Sequence, residues 1–302
     1  MKQSKFKSAL PIIMLIVAMC IYGSIGLVRK HVALSSSLIA LSRSVIGAIF
    51  LIAALLLRKQ KIDVSTLKKN LVYLFISALA LGFNWVFLFE AYSYLSVATA
   101  TLIYYFAPTL VIFVSAPLFK DKLTLKHILC AIISLVGMVF ISGVLQSEVT
   151  LSIPGILLAV GAMLLYATVV VLIRKASDVP TLERTTFQLS ISAIILLPYT
   201  LITDKILFLG IDSTSIMLLL VMGIVHTGIA YLLYFSAIGS LKSHTVAIFS
   251  YIDPTLAVIL SFTVMQEGFS IFSIVGAVLI ILSSIVSQVN LKTKQTENAI
   301  NN

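Results

Sequence analysis

Ten apolar stretches follow one another along the chain, at 10–28, 36–57, 70–90, 97–119, 125–142, 153–173, 186–203, 215–236, 244–264 and 271–289. Each approaches the ~20 residues that an α-helix needs to cross a bilayer core. Lipid satisfies no backbone polar group, so stretches of this kind fold as helices. Their short connections force neighbours into antiparallel hairpins. With 60% hydrophobic and 11% charged residues, the chain cannot cover a soluble surface, which takes about a quarter charged residues. The expected fold is an all-α integral membrane protein with ten transmembrane helices.

The loops orient these helices. With the N-terminus in the cytoplasm, seventeen of the 21 Lys and Arg fall in cytoplasmic segments. Arg29, Lys30 and Lys205 fall outside, and Arg43 lies within a span. That bias follows the positive-inside rule and predicts a multi-pass cell-membrane protein with both termini cytoplasmic. Residues 1–9 are read as a cytoplasmic N-terminus and 290–302, which are polar, as a disordered cytoplasmic tail. The run after Lys2, Lys5 and Lys7 has no small-x-small cleavage site, so it is read as a retained first helix. The loop bias also explains a pI near 9.6 without a nucleic-acid partner, since no basic cluster is interleaved with stacking aromatics. Cys20 and Cys130 sit in apolar runs, without disulfide or metal spacing, and read as packing residues.

A shift of 146 residues lays 82–142 on 228–288. Gly82/Gly228, Phe89/Phe235, Ala91/Ala237, Thr99/Thr245 and Tyr105/Tyr251 coincide, and Pro108-Thr109-Leu110 falls on Pro254-Thr255-Leu256. Each half, 10–142 and 153–289, holds five stretches. Five is odd, so the second half enters the membrane from the opposite side. The result is a pair of inverted repeats, which predicts a solute site near the midplane and alternating access. Pro108 and Pro254 fall near the centres of the fourth and ninth helices. There each leaves a carbonyl unpaired and bends its helix. They point to the central cavity; simple packing kinks are the alternative.

Further short motifs stand at equivalent places. Tyr22-Gly23-Ser24 lies in the first helix, and Arg43 precedes a small and apolar run in the second. Phe119-Lys120-Asp121-Lys122-Leu123 and Met265-Gln266-Glu267-Gly268 form turns, Gly137 and Gly276-Ala277 supply small residues, and Tyr166 and Arg174 mark the sixth helix. Together these resemble the EamA type of the drug/metabolite transporter superfamily, over nearly all of 10–289 as two tandem repeats. That family often has Trp where Tyr22 stands and Glu where Asp121 stands. The resemblance implies a ten-helix permease that moves small metabolites, often outward.

Charge inside a span needs a reason. Two acids are expected there. Asp253, directly before Pro254, is able to bind a proton or a cationic group, or to cap the broken helix. Glu90 falls at the outer interface, where a carboxylate is cheap. Arg43 is too deep to snorkel, so it faces a watery cavity or a partner, either Asp253 or carbonyls of a kinked helix, and a structural and a substrate-binding role are both open. His226 either relays protons or bonds between helices. Tyr104, Tyr105 and Pro108 lie within about one turn, and Ser250, Tyr251 and Pro254 repeat that pattern. Tyr22, Trp85, Tyr166, Tyr231 and Tyr234 add rings. A ring-lined cavity suits an amphiphilic or cationic organic solute; membrane-interface positions are the alternative for Tyr and Trp.

The expected activity is secondary transport of such a compound or of a small metabolite across the cytoplasmic membrane, outward, with no cofactor. Proton coupling through Asp253, with His226, is one version; an uncoupled facilitator or uptake carrier is another. No G-x-x-x-x-G-K-[ST] loop exists for ATP hydrolysis. An intramembrane enzyme would need a reactive constellation, and none stands in the sequence. No catalytic residue and no metal ligand is expected. A membrane assembly factor would carry a soluble domain or long loops. Gly23, Gly26, Gly47 and Gly137 allow close helix packing and leave a homodimer open.

Overall fold

The computed structural model describes residues 2–59, 63–119, 124–141, 152–204, 211–238, 249–250, 252–266 and 270–288. The regular elements among them are all helical: α1 Lys2–Gly23, α2 Ile25–Lys30, α3 Ser36–Leu57, α4 Val64–Lys69, α5 Leu71–Tyr94, α6 Val97–Tyr104, α7 Ala107–Phe119, α8 Leu125–Ile141, α9 Ile153–Lys175, α10 Thr181–Thr203, α11 Ser213–Gly223, a π-helical turn Ile224–Ile229, α12 Ala230–Ile238, α13 Ile252–Thr263 and α14 Ile271–Gln288.

Five of the helices, α3, α4, α6, α9 and α11, start where a short polar side chain takes up a free backbone N–H. Ser35 accepts from the Leu38 amide at 3.2 Å, Ser96 from Thr99 at 3.0 Å and Ser152 from Gly155 at 3.4 Å. Asp63 and Asp212 do the same for α4 and α11. Between the caps the residues are apolar all round, as in helices immersed in lipid. Leu57, Ile202 and Leu56 expose 85%, 81% and 72% of their surface. That outward apolar coat is the surface a bilayer solvates.

Six helices are long and apolar enough to cross a membrane by length and composition: Leu10–Lys30, Ser36–Leu57, Leu71–Tyr94, Ile153–Lys175, Thr181–Thr203 and Ser213–Tyr234. The other apolar stretches are built differently. Stretch 97–119 is split into α6 and α7. Ile128–Gly137, Ile252–Thr263 and Ile274–Ser283 are apolar helical segments of 10–17 residues.

Helices α3, α5, α9 and α10 form the centre. The pairs α5–α9, α3–α10 and α5–α10 pack along their lengths around Phe89, Leu51, Leu189 and Leu196, all fully buried. Helix α1 packs on α12 and α13, α6 packs on α9 and α13, and α8 pairs with α14. The last pair is tied by Ser134 and Ser283, whose hydroxyls lie 2.5 Å apart in an otherwise apolar contact.

Three local features differ from the sequence expectation. The first helix is interrupted at Ser24, and the eighth contains the π-helical turn. The seventh begins at Thr181 rather than at 186, so Glu183 is a third acid within a span, only 4% exposed. The polar run Thr181–Thr186 reads as loop by composition. Tertiary packing overrides that preference, because Leu182, Thr185 and Thr186 are buried.

Candidate functional site

The fourth apolar stretch breaks at Tyr105-Phe106, between α6 and α7. The break sits just before Pro108, which stands in the first turn of α7. A proline there has no N–H to give to the carbonyl four residues back, so the preceding turn opens. Tyr105 therefore caps α6 instead of continuing it, with φ −74° and ψ 4°. Its hydroxyl donates to Oδ2 of Asp253. Asp253 lies in the first turn of α13, not mid-helix, with buried Pro254 beside it.

Helix α1 touches this pair through its backbone. A Cβ on Gly23 would stand 2.6 Å from the carbonyl oxygen of Asp253. Glycine is thus the residue that lets the end of α1 reach the start of α13. Its neighbour Tyr22 meets Tyr231 and Tyr234 edge-on, with ring centroids 5.8 and 6.4 Å away. On the other side Tyr104 meets Tyr105 at 5.9 Å and Tyr166 at 5.1 Å. The Tyr104 hydroxyl reaches Oδ1 of Asn84 at 3.4 Å. The Asn84 amide donates to the Ala162 carbonyl at 2.6 Å.

Arg43 is 4% exposed in the middle of α3. Its guanidinium lies 4.0 Å over the Trp85 ring, and Phe89 is 5.9 Å away. Nε donates to Thr227 Oγ1 at 2.7 Å and Nη2 to the His226 carbonyl at 3.4 Å. Both acceptors belong to the π-helical turn. Thr227 spends its own proton on the Met222 carbonyl five residues back, at 3.0 Å. That spacing belongs to a π turn and leaves a carbonyl free of its α-helical bond. The His226 ring spans Ser24 Oγ at 3.1 Å and the Val221 carbonyl at 3.4 Å.

An arginine at mid-span costs at least about 2.5–3.5 kcal/mol. Stacking on Trp85 returns up to about 2 kcal/mol once desolvated. The bond to Thr227 returns about 1.5–3 kcal/mol. These offset the cost, so Arg43 is held without an acid. The sequence left Asp253 or freed carbonyls as its partner, and the carbonyl alternative is the one seen. Asp253 lies within electrostatic reach of Arg43, but no ion pair joins them.

The structure thus gathers Tyr22, Arg43, Trp85, Tyr104, Tyr105, Tyr166, His226, Tyr231, Asp253 and Pro254 into one neighbourhood. Tyr251 and the side chain of Pro108 lie outside the described residues. Sequence reasoning named Ser24 only within the Tyr22-Gly23-Ser24 motif, not as a site residue, and passed over Asn84 and Thr227. A signal existed: each is a polar residue in an apolar run, beside Gly23, Trp85 and His226 respectively.

A second polar group ties helix ends. Ser35 and Ser37 both donate to Oδ2 of Asp204 at 2.5 Å. Ser36 donates to Glu90 at 2.7 Å and receives Arg29 at 3.1 Å. At the opposite ends Asp178 holds Asn70 at 2.9 Å and Lys69 at 3.4 Å.

Interrupted apolar helices around a polar and aromatic centre define a helical membrane protein built for a solute rather than for chemistry. The chain matches the EamA-like transporter family over residues 9–143 and again over 153–288, and it belongs to that family. It is a membrane transporter, not an enzyme. It is 28% identical over 298 residues to the uncharacterized transporter YxxF of Bacillus subtilis (strain 168), covering 98% of this chain and 94% of that one. Protein PecM of Dickeya dadantii (strain 3937) is 25% identical over 216 residues, covering 70% and 72%. A solved crystal structure superposes with a TM-score of 0.65 over 92% of this chain and 96% of that chain, at 21% identity. That likeness shows the fold alone.

Proposed function

We propose that this transporter moves a small organic solute outward across the cytoplasmic membrane by alternating access. Ten spans form two inverted five-helix halves, with both termini in the cytoplasm. The twelve residues named from the sequence line the solute's path. Asp253 carries a coupling proton, with His226 nearby.

The observation that carries this reading is the meeting of three helix interruptions around one set of side chains. The fourth stretch breaks at Tyr105-Phe106, the eighth turns π-helical at Ile224–Ile229, and the first departs from regular geometry at Ser24 within the helix Leu10–Lys30. In transporters, discontinuous helices are tolerated where they line a site, because solute or water completes their backbone bonding.

The helix contacts support the two-half reading. Exchange of the halves turns the α5–α9 contact into α12–α1, and α5–α10 into α11–α3. The contact α7–α9 becomes α13–α1, and the pairs α3–α10 and α8–α14 map onto themselves. An inverted pair of halves about one axis would have this pattern.

The test is transport by the purified protein in liposomes, with labelled organic solutes and an imposed pH gradient. Saturable movement driven by the gradient is expected, and Asp253→Asn should keep solute exchange while losing the driven accumulation. Accumulation indifferent to both the gradient and the substitution would make the protein an uncoupled facilitator. Net inward movement in cells that overproduce it would remove the outward assignment.

A further inference from the structure

The solute class follows from a charge that the protein tolerates but does not neutralise. Arg43 is nearly fully buried, and no acid among the described residues pairs with it. Its two bonds use one side of the guanidinium: Nε–H to Thr227 and one Nη2–H to the His226 carbonyl. Both acceptors are neutral. Trp85 covers one face of the plane. What remains is the end fork, the Nη1 hydrogens and the second Nη2 hydrogen, which matches the two oxygens of a carboxylate.

That fork is not walled in by protein. The enclosed side-chain atoms without a partner, among the described residues, are Tyr22 Oη, Arg29 Nε, Glu183 Oε2, Arg184 Nε and Thr200 Oγ1. Nη1 bonds to no described residue and is not among these enclosed atoms, so it is not fully covered by protein. The rings of Tyr231, Tyr22, Tyr104 and Tyr92 surround Arg43, and the one carboxylate within its electrostatic reach, Asp253, is bonded to the Tyr105 hydroxyl and makes no ion pair with it. A cation at this fork would meet the Arg43 charge at close range in a medium that screens poorly, while Asp253 is engaged by Tyr105. An anion would meet a preset fork and aromatic walls.

We propose that Arg43 is the solute's anchor, holding a carboxylate in its end fork while an apolar tail lies against Tyr22, Tyr104 and Tyr231. The transported solute is a carboxylate with an apolar tail. This reverses the cationic expectation drawn from the rings alone, and it rests on the site assigned above. Thr227 and Trp85 act as positioning residues, because they fix the plane of the guanidinium without touching the solute.

The experiment is binding to purified wild-type protein in lipid nanodiscs. The probes are aromatic and aliphatic carboxylates, each beside its primary amide and its amine. At least one carboxylate should bind at least tenfold tighter than its amide and its amine. Arg43→Lys, which keeps the charge but loses the fork, should weaken it at least tenfold. Tighter binding of the amines or amides, binding of no carboxylate, or equal carboxylate binding in Arg43→Lys each overturns the inference. The wild-type comparison stands alone if the variant does not fold. The same probes in the liposome assay separate the two claims: amines or amides carried in place of carboxylates sink this inference and leave the transporter reading standing. No solute of any class carried sinks the reading of the site itself.

Discussion

Residues 71–94 and their counterparts 146 positions later are the same stretch written twice, and they fold differently. The first copy is one unbroken α-helix, α5. The second is α11, a π-helical turn and α12. Where α5 has Ala80, Leu81 and Gly82, the second copy has His226, Thr227 and Gly228. Thr227 bonds five residues back, and Arg43 takes the His226 carbonyl. Two polar residues and one arginine accompany the change from a continuous α-helix to one with a π-helical turn. The same one-sidedness recurs nearby: Asp253 answers to Ala107. The halves share a frame, and the charged chemistry is carried by single positions without a mate.

Writing the first copy's residues into the second breaks this contrast most severely. His226→Ala with Thr227→Leu removes the hydroxyl that both Arg43 and the Met222 carbonyl use. The loss of a bond to a buried charge predicts about 3 kcal/mol lower stability, read by chemical unfolding in detergent, together with loss of solute binding. Stability unchanged within ~0.5 kcal/mol would mean that the π turn does not depend on these side chains.

The paired glycines give a smaller and more selective effect. A Cβ on Gly228 would stand 2.5 Å from the Phe50 ring, whereas one on Gly82 would meet only the Leu196 side chain, at 3.2 Å. Gly228→Ala should cost about 1–3 kcal/mol through overpacking. Gly82→Ala should stay under ~1 kcal/mol, because helix propensity favours alanine by about that much. Equal melting shifts for the two variants would erase the distinction between the copies at this level.

The α8–α14 pair is a contact where the two halves meet on equal terms. A double-mutant cycle on Ser134→Ala and Ser283→Ala should give a coupling of about 0.6 kcal/mol, the usual size of an interhelical bond in lipid. A coupling indistinguishable from zero would leave this contact to packing alone.

The smallest effect lies outside the bilayer, at Asp63. Hydrogen bonds from the Ser65 and Thr66 hydroxyls bring its carboxyl down from 3.8 to about 2. A depressed carboxyl stabilises its helix above its ordinary value and loses that contribution as pH falls through the lowered one. The protection of the α4 amides, taken relative to their intrinsic exchange rates, should therefore fall as pH drops from about 4 to about 2, and hold steady above. Asp63→Asn should flatten that dependence.

Much of this molecule was legible before any coordinates. Apolar run length located the helices, since lipid forces each run to satisfy its own backbone. The run 36–57 coincides with α3 at both ends. Pro108 and Pro254 marked two helices that start anew beside them. Where polar residues of the first turns pack inward, run length misleads, as at Glu183, Thr185 and Thr186.

What the sequence determined by itself is local and one-dimensional: which segments are apolar enough for lipid, where a missing N–H or a capping hydroxyl ends a helix, and which buried positions carry charge. Those follow from each residue's own solvation and backbone geometry. Only the tertiary structure decided the partners. It set Arg43 against Trp85, Thr227 and the His226 carbonyl rather than against Asp253, and it gave Asp253 to Tyr105. Sequence spacing cannot rank such pairings, because residues 184 or 148 positions apart meet only after whole helices have chosen their neighbours.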